Sequence, residues 1–99
     1  MKTALQLLHD VKTYVPPSEF YRSELPTMTP PGGIAWQKGG LCPFHEDHYQ
    51  GSFHVHLKTG AFHCFSCGAK GGDIIAFTQL RYAVPFQEAV EKLANEWGV

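Results

Sequence analysis

Cys42, His45, Cys64 and Cys67 form two short pairs, Cys-x2-His and Cys-x2-Cys, with 18 residues between them. Thiolate and imidazole are donors that zinc takes, and a two-residue gap lets one tight turn aim both members of a pair at a single ion. The turns have knuckle sequence: Cys42-Pro43-Phe44-His45 first, then Cys64-Phe65-Ser66-Cys67-Gly68, where Gly68 permits the positive φ such a turn often needs. All three cysteines of the chain fall inside the pattern, so none is left over for a disulfide framework. Six histidines compete for the fourth place. His45 completes a knuckle. His63 adjoins Cys64 and points the opposite way on extended backbone, and His48 would open the first pair by three residues. Four protein donors leave no position for an activated water, so one structural Zn2+ is expected, and the mixed sulfur and nitrogen set suits it better than a hard cation.

The chain that must position these donors has 99 residues, near the lower size at which a core alone holds a fold. A structural metal adds folding free energy on the order of 10 kcal/mol in small zinc modules. The net charge of −1 excludes a strongly basic protein that coats nucleic acid. No apolar run is long enough to cross a bilayer and no cleavable leader is visible, which with reduced thiols gives the expectation of a cytoplasmic protein without membrane partners.

Ala4, Leu5, Leu7, Leu8 and Val11 recur at helical spacing over residues 2–13, and Pro16-Pro17 stops that helix. Ser18 to Arg22 has a weak signal for a short helical turn capped by Ser18. Prolines 26, 30 and 31 with Gly32-Gly33 read as an extended arm over 23–33. Ile34 to Leu41 is expected as a strand that delivers the first knuckle. Ser52 to Leu57 alternates, with Phe53, Val55 and Leu57 on one face and His54, His56 and Lys58 on the other. Lys58-Thr59-Gly60 turns the chain, and Ala61 to Phe65 returns with the second knuckle. Gly71-Gly72 reads as a turn and Asp73 as the cap of a helix running to about Tyr82. Pro85 opens a last helix with Phe86, Ala89, Val90, Leu93, Ala94 and Trp97 on its apolar stripe and Gly98 at its end. The expected fold is α+β: one domain over 1–99, with a helix and Pro-rich arm (1–33), a zinc ribbon of small antiparallel sheet and two knuckles (34–72), and flanking helices (73–99).

The runs Gly40-Leu41-Cys42-Pro43-Phe44-His45, Ser52-Phe53-His54-Val55, Phe62-His63-Cys64-Phe65-Ser66-Cys67-Gly68-Ala69 and Gly71-Gly72-Asp73-Ile74-Ile75-Ala76-Phe77 resemble the CHC2 zinc-binding domain of bacterial and phage DNA primases. Pro85 to Ala94 resembles the helix that ends that domain. The resemblance implies a module that engages single-stranded DNA where primer synthesis begins, with polymerisation left to a separate Toprim-type domain that binds magnesium. It also implies as partners a separate primase catalytic subunit or a replicative helicase. With nine acidic residues and no Asp-x-Asp pair, a two-metal phosphoryl-transfer site is not visible, so no enzyme activity is expected of the chain alone. Where the family often has a Lys-Thr-Pro-Ser-like run, this chain has His48-Tyr49-Gln50-Gly51-Ser52, which removes a lysine.

Single-strand binding needs cations for phosphates and flat side chains for bases. Candidate contacts are Lys38, His54, His56, Lys58, Phe62 and Lys70. Between Ile34 and Gly72 three lysines face two acids, whereas Asp73 to Val99 holds two basic and four acidic residues, which points DNA toward the ribbon. Phe62, Tyr49 and Trp36 are stacking platforms or packing residues, which periodicity does not separate. Phe44 and Phe65 are expected to shield the metal, and Phe86 and Trp97 to belong to the helix core. The rival expectation is a zinc-stabilised adaptor or regulator that docks a replication protein through the Pro-rich arm and acidic helix.

Overall fold

The computed structural model describes residues 2–99. In chain order it contains α1 (Ala4–Tyr14), α2 (Pro17–Glu24), β1 (Trp36–Lys38), β2 (Phe53–His56), β3 (Phe62–Cys64), β4 (Lys70–Gly71), α3 (Ile74–Tyr82) and α4 (Phe86–Trp97). The four strands form one antiparallel sheet in sequence order. Period-two alternation gives this sheet two chemically different sides. Phe53, Val55, Phe62 and Cys64 are buried on one side, while His54, His56 and His63 sit partly exposed on the other. No helix among the described residues is long and apolar enough to cross a membrane.

The buried side packs on an aromatic cluster. Phe77 of α3 meets Phe20, Tyr21, Phe44 and Phe62 at ring-centroid distances of 5.5, 5.2, 5.1 and 5.4 Å. Edge-to-face pairs of this kind each add about 0.5–1.5 kcal/mol beyond their buried area. Helix α4 lays Ala89, Val90, Leu93 and Ala94 against α1 and α3, closing the helical layer. Its stripe is covered unevenly: Trp97 is half-buried, but Phe86, in the first turn, is 45 % exposed and is not a core residue. Periodicity identifies a helix face, but not how far neighbouring elements reach along it.

Three elements differ from the sequence expectation. Helix α2 is a full two turns, and Pro17, not Ser18, opens it, with no side-chain cap. Proline's locked φ and missing N–H suit a first helical position. Two apolar residues, Phe20 and Tyr21, enter the core from α2, and such burial stabilises a helix too short to persist alone. Strand β1 has three residues, and Ile34, expected within it, is exposed. Gly71 is part of β4, paired with Phe62, where a turn was expected. A methyl on Gly71 would lie 2.5 Å from Phe62 and 2.8 Å from Ala76, so only glycine lets this edge strand close over the core. The caps are local and agree with the sequence: Asp73 accepts the Ala76 N–H at 2.8 Å, and Gly98 ends α4 with φ of 67°.

Helix α2 also braces the hairpin that carries the second knuckle. The Tyr21 hydroxyl, buried, donates to the Gly60 carbonyl at 2.5 Å across 39 residues of sequence. Tyr21→Phe keeps the ring in the aromatic cluster and removes that donor. The expected cost is about 1–3 kcal/mol, the penalty for a buried carbonyl left without its partner. Chemical denaturation should read this as a lower midpoint with unchanged slope, and a stability equal to wild type would show that the brace contributes nothing.

Candidate metal centre and the open sheet face

The two knuckles meet at one end of the sheet. One donor atom each from Cys42, His45, Cys64 and Cys67 lies within 4.8 Å of the other three. Cys42 Sγ is 3.9 Å from Cys67 Sγ, and Cys64 Sγ is 3.9 Å from His45 Nδ1. Two sulfurs bound tetrahedrally at about 2.3 Å from one Zn2+ would stand about 3.8 Å apart. The spacing and the donor chemistry therefore fit a single zinc ion held by three thiolates and one imidazole, a closed and structural site. Cys64 arrives on β3, and the turn after it returns through Gly68, whose φ is 81° and whose N–H donates to the Cys64 carbonyl at 2.9 Å.

Backbone amides aimed at two of the sulfurs favour the anionic form that a metal requires. The Phe44 N–H donates to Cys42 Sγ at 3.4 Å, and the Cys67 N–H to Cys64 Sγ at 3.5 Å. Burial pushes the Cys42 thiol up to about 12; the Phe44 amide works against that rise, and the Cys64 and Cys67 sulfurs add to it. Burial also opposes ionisation of Cys64, but the Cys67 and Ser66 amides and neighbouring thiols outweigh it and hold the group below the ordinary value. A bound dication reverses the penalty at Cys42, because a coordinating thiol is deprotonated outright.

Asp47 supplies a further layer that the sequence did not single out. Its carboxylate accepts the Cys42 N–H at 2.8 Å and lies 3.7 Å from His45 Nε2, on the far side of the ring from the cluster. At 3.7 Å the carboxylate is an electrostatic neighbour of the imidazole and not its hydrogen-bond acceptor, so its direct hold on the centre is the bond to the Cys42 amide. The Cys42 amide, followed by the Tyr49 amide and the nearby His45 and His48, holds the Asp47 carboxyl below its usual range. A carboxylate held down in the fold contributes stability that is complete above its unfolded value and disappears as pH falls through its folded one.

The side of the sheet away from the core gathers most of the candidate DNA contacts. Cross-strand partners share a face, and the register pairs Lys38 with His54, His54 with His63, and His63 with Lys70. One row of basic and imidazole side chains thus runs across all four strands. Among the described residues no carboxylate comes within ion-pair distance of Lys38 or Lys70, whereas Lys2, Lys12 and Lys92 are each paired. Lys58 sits elsewhere. It belongs to the turn after β2 and lines a groove with Lys12, Val15, Pro17 and Asp73 beside the helices. His56 is on the open side, yet its Nδ1 accepts the N–H groups of Lys58 and Thr59 at 3.3 and 3.2 Å. With Nδ1 turned to these two amides, the His56 ring braces the turn.

Phe62 is a correction. It is 2 % exposed, stacked on Phe44 at 5.4 Å, and offers no face to a base. Trp36 divides from it in the other direction, being 52 % exposed. Phe65 does not shield the metal: it is 69 % exposed and stacks on His63 at 4.2 Å and 21°. The signal for both His63 and Phe65 was present in the chain. They flank Cys64, so alternation sends them away from the side that buries it. Phe44 lies in the aromatic cluster, against Phe53, Phe62 and Phe77.

Two outcomes test the centre. Removing metal with a strong chelator should abolish the cooperative thermal transition, and one equivalent of zinc should restore it. Asp47→Asn should keep the fold but weaken zinc affinity about 10- to 100-fold in a competition titration. The wild type should also lose stability more steeply than the variant as pH falls below the ordinary carboxylate range, and superposable profiles together with equal zinc affinity would exclude Asp47 from a role at the centre.

Similarity to known proteins covers the same region. Over 59 residues the chain is 56 % identical to the DNA primase of Mycolicibacterium smegmatis, spanning 60 % of this chain and 9 % of that protein. Over 59 residues it is 48 % identical to the DNA primase of Thermotoga maritima, spanning 60 % of this chain and 10 % of that one. The chain thus spans about a tenth of the length of these curated relatives. Its fold matches the crystal structure of the Aquifex aeolicus primase (zinc binding and RNA polymerase domains) with a TM-score of 0.71 and 28 % identity, over 99 % of this chain and 22 % of that one. Residues 34–99 match the CHC2 zinc finger model, and together with the Cys3His cluster this shows that the chain belongs to the CHC2 zinc finger family of DNA primases.

Proposed function

We propose that this chain is a non-catalytic primase-type module whose zinc ribbon binds single-stranded DNA template when primer synthesis initiates replication. The observation that supports this most is the row Lys38–His54–His63–Lys70 across the open sheet face, with no carboxylate among the described residues paired to either lysine. Phosphates need free cations, and a sheet side bordered by lysines on both edge strands provides them without requiring a basic protein. The zinc ion's role in this reading is to hold the strands in the register that forms the row. Polymerisation in this reading belongs to a Toprim-type catalytic unit, and the module's proposed partners are that unit and a replicative helicase. For such a partner the helical side is better suited than the sheet, since Leu80 and Phe86 are exposed there beside the acidic α4.

The adaptor reading places protein, not DNA, on the whole surface, and salt separates the two. Single-strand affinity should fall as a power of salt concentration, each phosphate neutralised contributing about 0.7 to the slope. The double variant Lys38→Ala with Lys70→Ala should lower affinity at low salt and make the slope shallower by about 1.4. Lys92→Ala, which removes a lysine bound to Glu96 on α4, should bind as wild type does. Fluorescence anisotropy with labelled oligonucleotides measures all three proteins. Absence of single-strand binding by the wild type, or equal slopes for it and the double variant, would rule out the open face as the DNA surface.

A further inference from the structure

Trp36, His54, His63 and Phe65 enclose a shallow cavity of about 290 Å³ on the open sheet face, in the middle of the basic row. We infer that this cavity is a slot for one unpaired nucleobase, through which the module distinguishes single-stranded from duplex DNA. The inference rests on the single-strand reading above and names what that surface selects.

The walls of the slot come from three different segments. Phe65, exposed and stacked on His63, makes a two-ring platform, and its edge also meets His54 at 5.5 Å. Trp36 stands opposite on β1, held edge-on by His56 at 5.3 Å, the same ring that braces the following turn. The lining is almost wholly flat and apolar, while Lys38 and Lys70 stand at the row's two ends. Flat walls between cations match an unpaired nucleotide: a base to stack and a phosphate on either side. A volume near the lower end of small-molecule sites leaves room for one base but not for a stacked pair of strands. In a duplex, pairing and stacking together hold each base inside the helix, whereas a single-stranded base can be splayed out to present a face to Phe65.

The slot also explains an atom that is otherwise unaccounted for. Among the described residues, His54 Nδ1 is the buried side-chain nitrogen or oxygen without a hydrogen-bond partner. A buried polar atom without a partner calls for an explanation. His54 lines the slot, so the polar edge of a bound base is the partner proposed for this ring.

The test uses the full chain with zinc bound. In a Trp97→Phe background, Trp36 is the sole indole and reports stacking directly. A single-stranded thymidine oligonucleotide should quench its emission, and the same strand hybridised to its complement should not. Phe65→Leu and, independently, Trp36→Leu keep apolar bulk but remove a flat wall. Each should weaken single-strand binding about five- to 150-fold, the equivalent of about 1–3 kcal/mol per stacked base, with zinc content unchanged. An abasic nucleotide at the quenching position should reproduce that loss with the wild-type protein. If both leucine variants bind as tightly as wild type while the double lysine variant does not, the slot is refuted and the strand-binding face stands. Equal quenching by duplex refutes strand discrimination, and no DNA binding by the wild type removes both readings.

Discussion

Two turns 18 residues apart must point at the same place, and one dication supplies the reason for them to do so. Each knuckle organises only its own few residues, presenting amide N–H groups to its sulfurs. Burial makes the Cys42 thiol reluctant to ionise without a counter-charge, so the folded arrangement of sulfurs is strongly linked to the cation that neutralises them. The ion therefore acts as a cross-link between the β2–β3 hairpin and the segment after β1, where the sheet's own hydrogen bonds are few because its strands are two to four residues long.

From that cross-link the two-sidedness of the sheet follows. With Cys64 turned inward beside Phe53 and Phe62, its neighbours His63 and Phe65 have to face outward. The same pleat puts His54 next to His63 and brings the edge lysines to the ends of one row. Metal site and open face are thus two consequences of one register. A one-residue slip would displace the sulfur and at the same time turn the row into the core.

The helices complete the inner side and set its limits. Helix α2 contributes Phe20, Tyr21 and a hydrogen bond to the hairpin turn, although it lies outside the 34–99 segment that matches the zinc finger family. The acidic α4 stays on the opposite layer, so a chain with net charge −1 still presents unpaired lysines on its sheet. Charge here is a matter of placement rather than of sum.

What the chain determines by itself is local. Spacing within each knuckle, alternation along Phe53 to Leu57, the Asp73 and Gly98 caps and the apolar stripe of α4 all depend on residues a few positions apart, and the donor set was legible for the same reason. Tertiary structure decided what depends on distant neighbours. It made α2 a helix by burying Phe20 and Tyr21, made Gly71 a strand residue by closing it over Phe62, and set Lys58 apart from the row. It moved Phe62 inside and Phe65 outside, and it placed Asp47 behind His45. In each case the deciding contact lies across the sheet or between layers, where no periodicity along the sequence can register it.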